Sequence, residues 1–199
     1  ADILISHPHD APGHGQACRS AVQAYLRGQG IAAEVLDSGT QGWHIRYPLS
    51  AAPSVNSTVI SASDVLHSSI ARCLDTIQRY TRYPAFDIIV CKPDGNTDPD
   101  LLAEIERRQA TPGVRIELLS PPAAQSHATL CNLAAQAANG EFLAFLDEEV
   151  QIVQDSWLEE LIRNAQQSGV GAVVPCQIQP GTSLINSAGP VLGLNGLLD

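Results

Sequence analysis

The sequence predicts an α/β fold, a mainly parallel sheet with helices on both faces, and three observations carry that expectation. Short apolar runs alternate with segments of helical period along most of the chain. One run, Phe142–Leu146, is unbroken, as suits a strand covered on both faces. Between runs stand helix-start signals: Asp98-Pro99, and Ser156-Trp-Leu-Glu159 with capping-box spacing.

The elements follow in order. Ile3–Ser6 reads as a strand, Gln16–Arg27 as a helix with Cys18, Val22, Tyr25 and Leu26 on one face, and Ile31–Leu36 as a second strand. Ser38–Asn56 has Gly39, Gly42, Pro48 and Pro53 and no sustained period, which predicts a linker or long loop. Thr58–Ser61 begins a second series as a strand. Asp64–Tyr80 is a helix with Leu66, Ile70, Cys73, Leu74 and Ile77 on its apolar face, and Phe86–Cys91 is the next strand. From Pro99 a helix carries Leu101, Leu102 and Ile105 inward, with Asp98 as its cap. Val114–Leu119 is a strand, Ser126–Ala138 a helix, and Phe142–Leu146 a strand. The helix opened at Ser156 places Leu158, Leu161, Ile162 and Ala165 together, and Val170–Val174 closes the series as a strand. The Gly-containing tail after Pro175 shows no clear element.

Composition narrows the function classes. A chain of 199 residues with 44% hydrophobic and 16% charged residues has enough apolar matter for one good core. Its net charge of −10 argues against a nucleic-acid surface, which needs a basic stripe for phosphates, so an anionic substrate requires a local counter-charge or a metal. No apolar run approaches the length of a transmembrane segment, and no charged-then-apolar leader opens the chain, so a cytoplasmic location is expected. The five cysteines (Cys18, Cys73, Cys91, Cys131 and Cys176) lack zinc spacing, and their odd number argues against a full disulfide framework. They read as small core residues. With no methionine anywhere, an initiator included, the chain is expected either to begin after processing or to be a piece of something larger.

The densest functional signal is Asp147-Glu-Glu149, directly after the Phe142–Leu146 run. Ligands of open α/β sheets bind at the carboxyl ends of strands. Hard carboxylate oxygens there suit Mg²⁺ or Mn²⁺ shared with a substrate's phosphates, and the plain alternative is a solvated acidic turn.

From about Val55 to Leu194 the chain carries an ordered series of motifs: Arg72-Cys-Leu-Asp-Thr-Ile77, Tyr83-Pro-Ala-Phe-Asp-Ile-Ile-Val90, Asp94-Gly-Asn-Thr-Asp-Pro99, Asn132-Leu-Ala-Ala-Gln-Ala-Ala-Asn-Gly-Glu141, Asp147-Glu-Glu149, Trp157-Leu-Glu-Glu-Leu161 and Asn186-Ser-Ala-Gly-Pro-Val-Leu-Gly-Leu194. In this order they resemble the inverting family 2 glycosyltransferases of GT-A fold. The resemblance implies transfer of a hexose from a nucleotide-diphosphate sugar to a glycan or polysaccharide acceptor. A divalent cation, Mg²⁺ or Mn²⁺, would neutralise the leaving diphosphate, with Asp147 and Glu149 as its protein ligands. It further implies that Asp94, Asn132 and Asp147 lie on the nucleotide side. Asp94 either hydrogen-bonds the base or ribose or forms a plain Asp-Gly turn. Residues 1–54 are expected to form a small β-α-β unit plus linker, and residues 55–199 an incomplete GT-A-like nucleotide-sugar-binding domain. Asp94 and Asp147 should end two strands at one cleft.

The chain also departs from the family pattern. Cys91-Lys92-Pro93 intervenes where an acidic residue usually follows the strand, Cys131 stands where many relatives have Arg, and Glu149 is longer than the usual Asp. No carboxylate can be assigned as general base, because the resemblance stops where the acceptor half should begin. The isolated chain is therefore expected to bind a nucleotide without transferring sugar. The rival reading is a degenerate, non-catalytic GT-A module used for scaffolding or partner binding. A dinucleotide-binding domain is disfavoured by the lack of Gly-x-Gly-x-x-Gly after a strand.

His7, His9, Asp10 and His14 form a separate cluster after the first expected strand. A metal or phosphate loop, a faint likeness to sugar de-N-acetylases, a GT-B-like nucleotide turn and an ordinary polar turn all remain open for it. His44, His67 and His127 are isolated and receive no role.

Overall fold

The structure, a computed structural model, describes residues 14–37, 43–49, 53–60, 67–93, 99–110, 114–122, 125–187, 191–193 and 196–198. The expected strand Ile3–Ser6, the cluster residues His7, His9 and Asp10, and Asp94 with the cap Asp98 lie outside these residues. The chain divides into two compact units, Ala51–Glu159 and the pair of segments Ala1–Ser50 and Glu160–Asp199. No described helix is long and apolar enough to cross a membrane.

In the first segment of the discontinuous unit, α1 (His14–Gly28) is followed by β1 (Glu34–Asp37) and β2 (Trp43–Arg46), which pair antiparallel. Ile31 begins no strand because it closes the helix. Its N–H donates to Leu26 O at 2.9 Å and that of Gly30 to Arg27 O at 3.0 Å, with Gly30 at φ +70, the arrangement of a Schellman stop. Leu26 is buried as expected, whereas Tyr25 is exposed. The span expected as a loop contains β2, whose short Trp-His-Ile-Arg run was masked by the flanking Gly and Pro residues.

The other unit contains the sheet. β3 (Val55–Ile60), β4 (Phe86–Cys91), β5 (Arg115–Leu119) and β6 (Phe142–Asp147) form one sheet in the order β5-β4-β3-β6, with every neighbouring pair parallel. Helices α2 (His67–Tyr80) and α3 (Pro99–Gln109) contribute Ile70, Cys73, Leu74, Ile77, Leu101 and Ile105 to a cluster with Ile88, Val90 and Ile116 of the sheet. Helix α4 (His127–Ala137) covers the opposite face, where Leu130 and Ala134 meet Ile89 and Cys91. Helices therefore lie on both faces, and the sheet is parallel, as the sequence predicts. Each fully buried Ile or Leu contributes about 1.5–3 kcal/mol relative to exposure. Leu102, one step round the helix from Leu101, is exposed. Helix α4 starts where its cap places it, for Ser126 is extended at φ −70, ψ 156 and its hydroxyl accepts from Thr129 N–H at 3.2 Å.

Three further expectations need correction. β6 is covered on one face only: Leu143 and Phe145 are 40% and 49% exposed. It ends the sheet order, and α4 packs over β3 and β4 rather than over β6. Second, Val170–Val174 forms no strand. Gly169 turns the chain at φ +84, Val170 N–H bonds back to Gln167 O at 3.1 Å, and Val170 and Val174 are exposed. Third, the tail has structure: β7 (Gln177–Ile178) pairs with β8 (Ile185–Ser187), and β9 (Val191–Gly193) with β10 (Gly196–Leu198), both antiparallel. Among the cysteines only Cys73 and Cys91 are core residues, while Cys18 and Cys131 are half-buried and Cys176 is exposed. Helix α5 (Trp157–Ala165) follows the expected start and buries Leu158 and Ile162.

Candidate functional site

The carboxyl edge of the parallel sheet gathers the residues of interest. Ile60 at the end of β3 is in register with Cys91 of β4 on one side and Asp147 of β6 on the other, and Cys91 is in register with Leu119 of β5. Four strands therefore end level, and the sequence places Lys92 and the acidic triplet just at that line.

Asp147 is the last residue of β6 and is exposed. Its Oδ1 accepts from Glu149 N–H at 3.0 Å, and its carbonyl accepts from Val150 N–H at 3.1 Å. These bonds turn the chain sharply, the Asx-turn use of aspartate. Within that turn the three carboxylates separate. Glu148 is 6% exposed, while Asp147 and Glu149 face solvent. Strand alternation explains half of this, since Asp147 shares its side of β6 with the open residues Leu143 and Phe145.

The loop after the turn is tied to α2. Ile152 N–H donates to Thr76 Oγ1 at 3.0 Å, and that hydroxyl donates to Cys73 O at 2.9 Å. The Cys73 thiol donates to Asp147 O at 3.8 Å. Burial pushes the Cys73 thiol up to about 12, with the negative charges of Asp147 and Glu148 adding to the effect. It is therefore a neutral donor under the acidic turn and no nucleophile. Farther along, Trp157 Nε1 donates to Thr81 Oγ1 at 2.9 Å and Arg82 N–H to Asp155 O at 3.3 Å, so the segment between β6 and α5 is pinned to α2 and the residues after it.

Cys91 and Cys131 meet on the α4 side, where Cys131 packs against the Ile89, Cys91, Leu130 and Ala134 cluster and Cys91 Sγ donates to Leu130 O at 3.8 Å. Burial raises both thiols. The two cysteines among the departures from the family pattern are thus apolar packing neighbours. Asn132, next along α4, is exposed. The structure brings Asp147 and Glu149 together within one turn, whereas Asn132 is carried by a different element and Asp94 lies outside the described residues.

Two buried charged residues at this edge escaped the sequence reading. Glu148 looks like the middle of a solvated triplet, and only the turn geometry sends it inward. Lys92 is 6% exposed, and its one local signal is its place between a buried strand and Pro93. Among the described residues no group of three or more His, Cys, Asp and Glu side chains forms a metal-binding cluster. Two exposed carboxylates with free acceptor capacity are the donor set that suits Mg²⁺ or Mn²⁺, which keep most of their ligands as water or substrate oxygen.

Comparison with known proteins accords with this geometry. The family model for glycosyl transferase family 2 matches residues 57–185. The O-antigen biosynthesis protein RfbC of Myxococcus xanthus is 31% identical over 177 residues, which is 88% of this chain and 13% of RfbC. The uncharacterized protein y4gI of Sinorhizobium fredii is 28% identical over 152 residues, 76% of this chain and 16% of its own length. The chain thus spans less than a fifth of each of these relatives. The mannosyltransferase PcManGT from Pyrobaculum calidifontis, solved in complex with GDP-Man and Mn2+, superposes with a TM-score of 0.54 at 16% identity, over 77% of this chain and 42% of that one. A likeness at that identity speaks for the fold, which is of GT-A type. From the family match and the RfbC identity together, the chain belongs to glycosyl transferase family 2.

Proposed function

We propose that this chain is the nucleotide-sugar-binding part of a glycosyltransferase that moves a hexose from a nucleoside diphosphate to a growing polysaccharide or other glycan. The observation that carries the reading is the turn at the end of β6, which leaves Asp147 and Glu149 exposed side by side at the carboxyl edge of a parallel sheet. In a family 2 chain these two carboxylates would hold Mg²⁺ or Mn²⁺, and the bound cation would offset the charge that develops on the leaving diphosphate. PcManGT, with GDP-Man and Mn2+, supports a donor of this class, and the name of RfbC supports a polysaccharide acceptor. Asp94, three residues past β4, and Asn132, exposed on α4, are proposed contacts of the nucleotide.

The protein's own groups then have distinct tasks. Asp147 and Glu149 present oxygen ligands, and the Asx turn orients the Asp147 carboxylate. The Thr76 hydroxyl and the Cys73 thiol hold the turn against α2 so that its carboxylates are positioned before a ligand arrives. Calorimetry with UDP, GDP and dTDP, each with Mn²⁺, Mg²⁺ or excess chelator, tests the reading. One of the diphosphates should bind with metal, and Asp147→Asn should lower that affinity at least about tenfold without changing the melting temperature. Equal affinity in chelator would remove Asp147 and Glu149 from the proposed role. Binding without sugar transfer would favour a module that needs further chain for its acceptor.

A further inference from the structure

Lys92 is the first residue past β4, and its backbone N–H donates to Leu119 O at 2.9 Å, which fixes the chain against the end of β5. Only 6% of the residue is exposed. The stem is packed inside, while the ammonium is not among the buried side-chain nitrogens and oxygens that lack a partner, so the charge stays at the surface of the edge. Arg108 on α3 differs in that its charge is held inside: its guanidinium is met by Glu104 at 2.8 Å, Gln78 at 2.6 Å and Asp75 at 2.6 Å. Among the described residues no side chain hydrogen-bonds or ion-pairs with Lys92.

Its location indicates what the ammonium can meet. Lys92 leaves the sheet at the edge where Asp147 ends β6, and Ile60 is in register with both Cys91 and Asp147. With neighbouring strands ~4.8 Å apart, the ends of β4 and β6 are about 10 Å apart across β3. That interval suits one nucleoside diphosphate lying over the sheet edge. A chain of net charge −10 with three carboxylates at this edge repels a diphosphate, so each cation there counts.

We infer that Lys92 is the protein's own counter-charge for the donor, its ammonium pairing with a phosphate oxygen on the side away from Asp147. This inference rests on the nucleotide-sugar reading of the same edge. Lys92 is then a binding residue that replaces, from the opposite side, part of the charge compensation a cation supplies at β6.

The test uses Lys92→Met and Lys92→Arg, with affinity for UDP and GDP measured in saturating Mn²⁺ and the melting temperature measured without ligand. Lys92→Met should weaken the diphosphate that wild type binds by about tenfold or more, and Lys92→Arg should restore most of that affinity. Without ligand, Lys92→Met should melt close to wild type, because Met keeps the buried stem and the ammonium it removes has no internal partner. A Lys92→Met protein that is unfolded or much less stable would show an internal structural partner and overturn the inference. So would undiminished diphosphate binding by a stable Lys92→Met protein, and in that case the nucleotide-sugar reading would survive. If wild type binds neither diphosphate with Mn²⁺, that reading falls and takes the inference with it.

Discussion

Strands β4 and β6 flank β3 in the same parallel sheet and run the same length, yet their residues meet opposite surroundings. In β4, Ile88, Ile89, Val90 and Cys91 are all buried, because α2 and α3 cover one side and α4 the other. In β6 every second residue, Leu143, Phe145 and Asp147, is open. The difference teaches where this domain places stability and where it places chemistry. A strand sealed on both faces contributes apolar burial on each residue. A strand at the end of the sheet can deliver carboxylates into water, where their charge is cheap to keep and available to a ligand.

The contrast is open to attack at four points. The largest effect belongs to Ile88→Ala, which empties a fully buried site between α2, α3 and the sheet and should cost about 2–5 kcal/mol in urea unfolding. A loss below about 1 kcal/mol would mean that β4 is not the centre of the core. Thr76→Val should cost about 1–3 kcal/mol, because it leaves Ile152 N–H without its acceptor and frees the loop after the acidic turn. If the tie matters for the site as well, metal-dependent nucleotide affinity should fall in the same variant, and unchanged affinity would confine Thr76 to stability.

The third point tests the α3 side of the core through pH. The hydrogen bond from Arg107 holds the Glu104 carboxyl at about 2 instead of 4.5, against the opposing effect of burial and with further help from Arg108. A carboxyl depressed in this way contributes stability that is present above the unfolded value near 4.5 and is lost as pH falls toward about 2. Glu104→Gln should therefore be less stable than wild type at neutral pH, and the gap should close on acidification through that window. A gap that does not change with pH would show that Glu104 acts by packing and not by charge. The smallest effect is expected for Phe145→Ser on the open side of β6, within about 0.5 kcal/mol of wild type. A large loss there would show that β6 is sealed like β4 and would end the comparison.

The sequence by itself determined the parts that depend on local pattern. The helical period of Ile70, Cys73, Leu74 and Ile77 and the apolar run Phe86–Cys91 correspond to buried elements, and Ser126 caps α4 through its own hydroxyl. The ordered motifs from Arg72 to Leu194, all but the last of them within the matched residues 57–185, also pointed to the family, because motif order survives where residue identity does not. Only the tertiary structure decided which strands lie in the middle of the sheet, and so whether an apolar run is covered on both faces. Phe142–Leu146 and Phe86–Cys91 look alike as strings, but β6 ends the sheet and β4 does not. Likewise Val170–Val174 has strand-forming residues, but Gly169 and the bond to Gln167 leave it as irregular chain. The inward position of Glu148 and the burial of Lys92 were equally illegible, because a charged residue's exposure is set by the turn and the strand ends around it rather than by its neighbours in sequence.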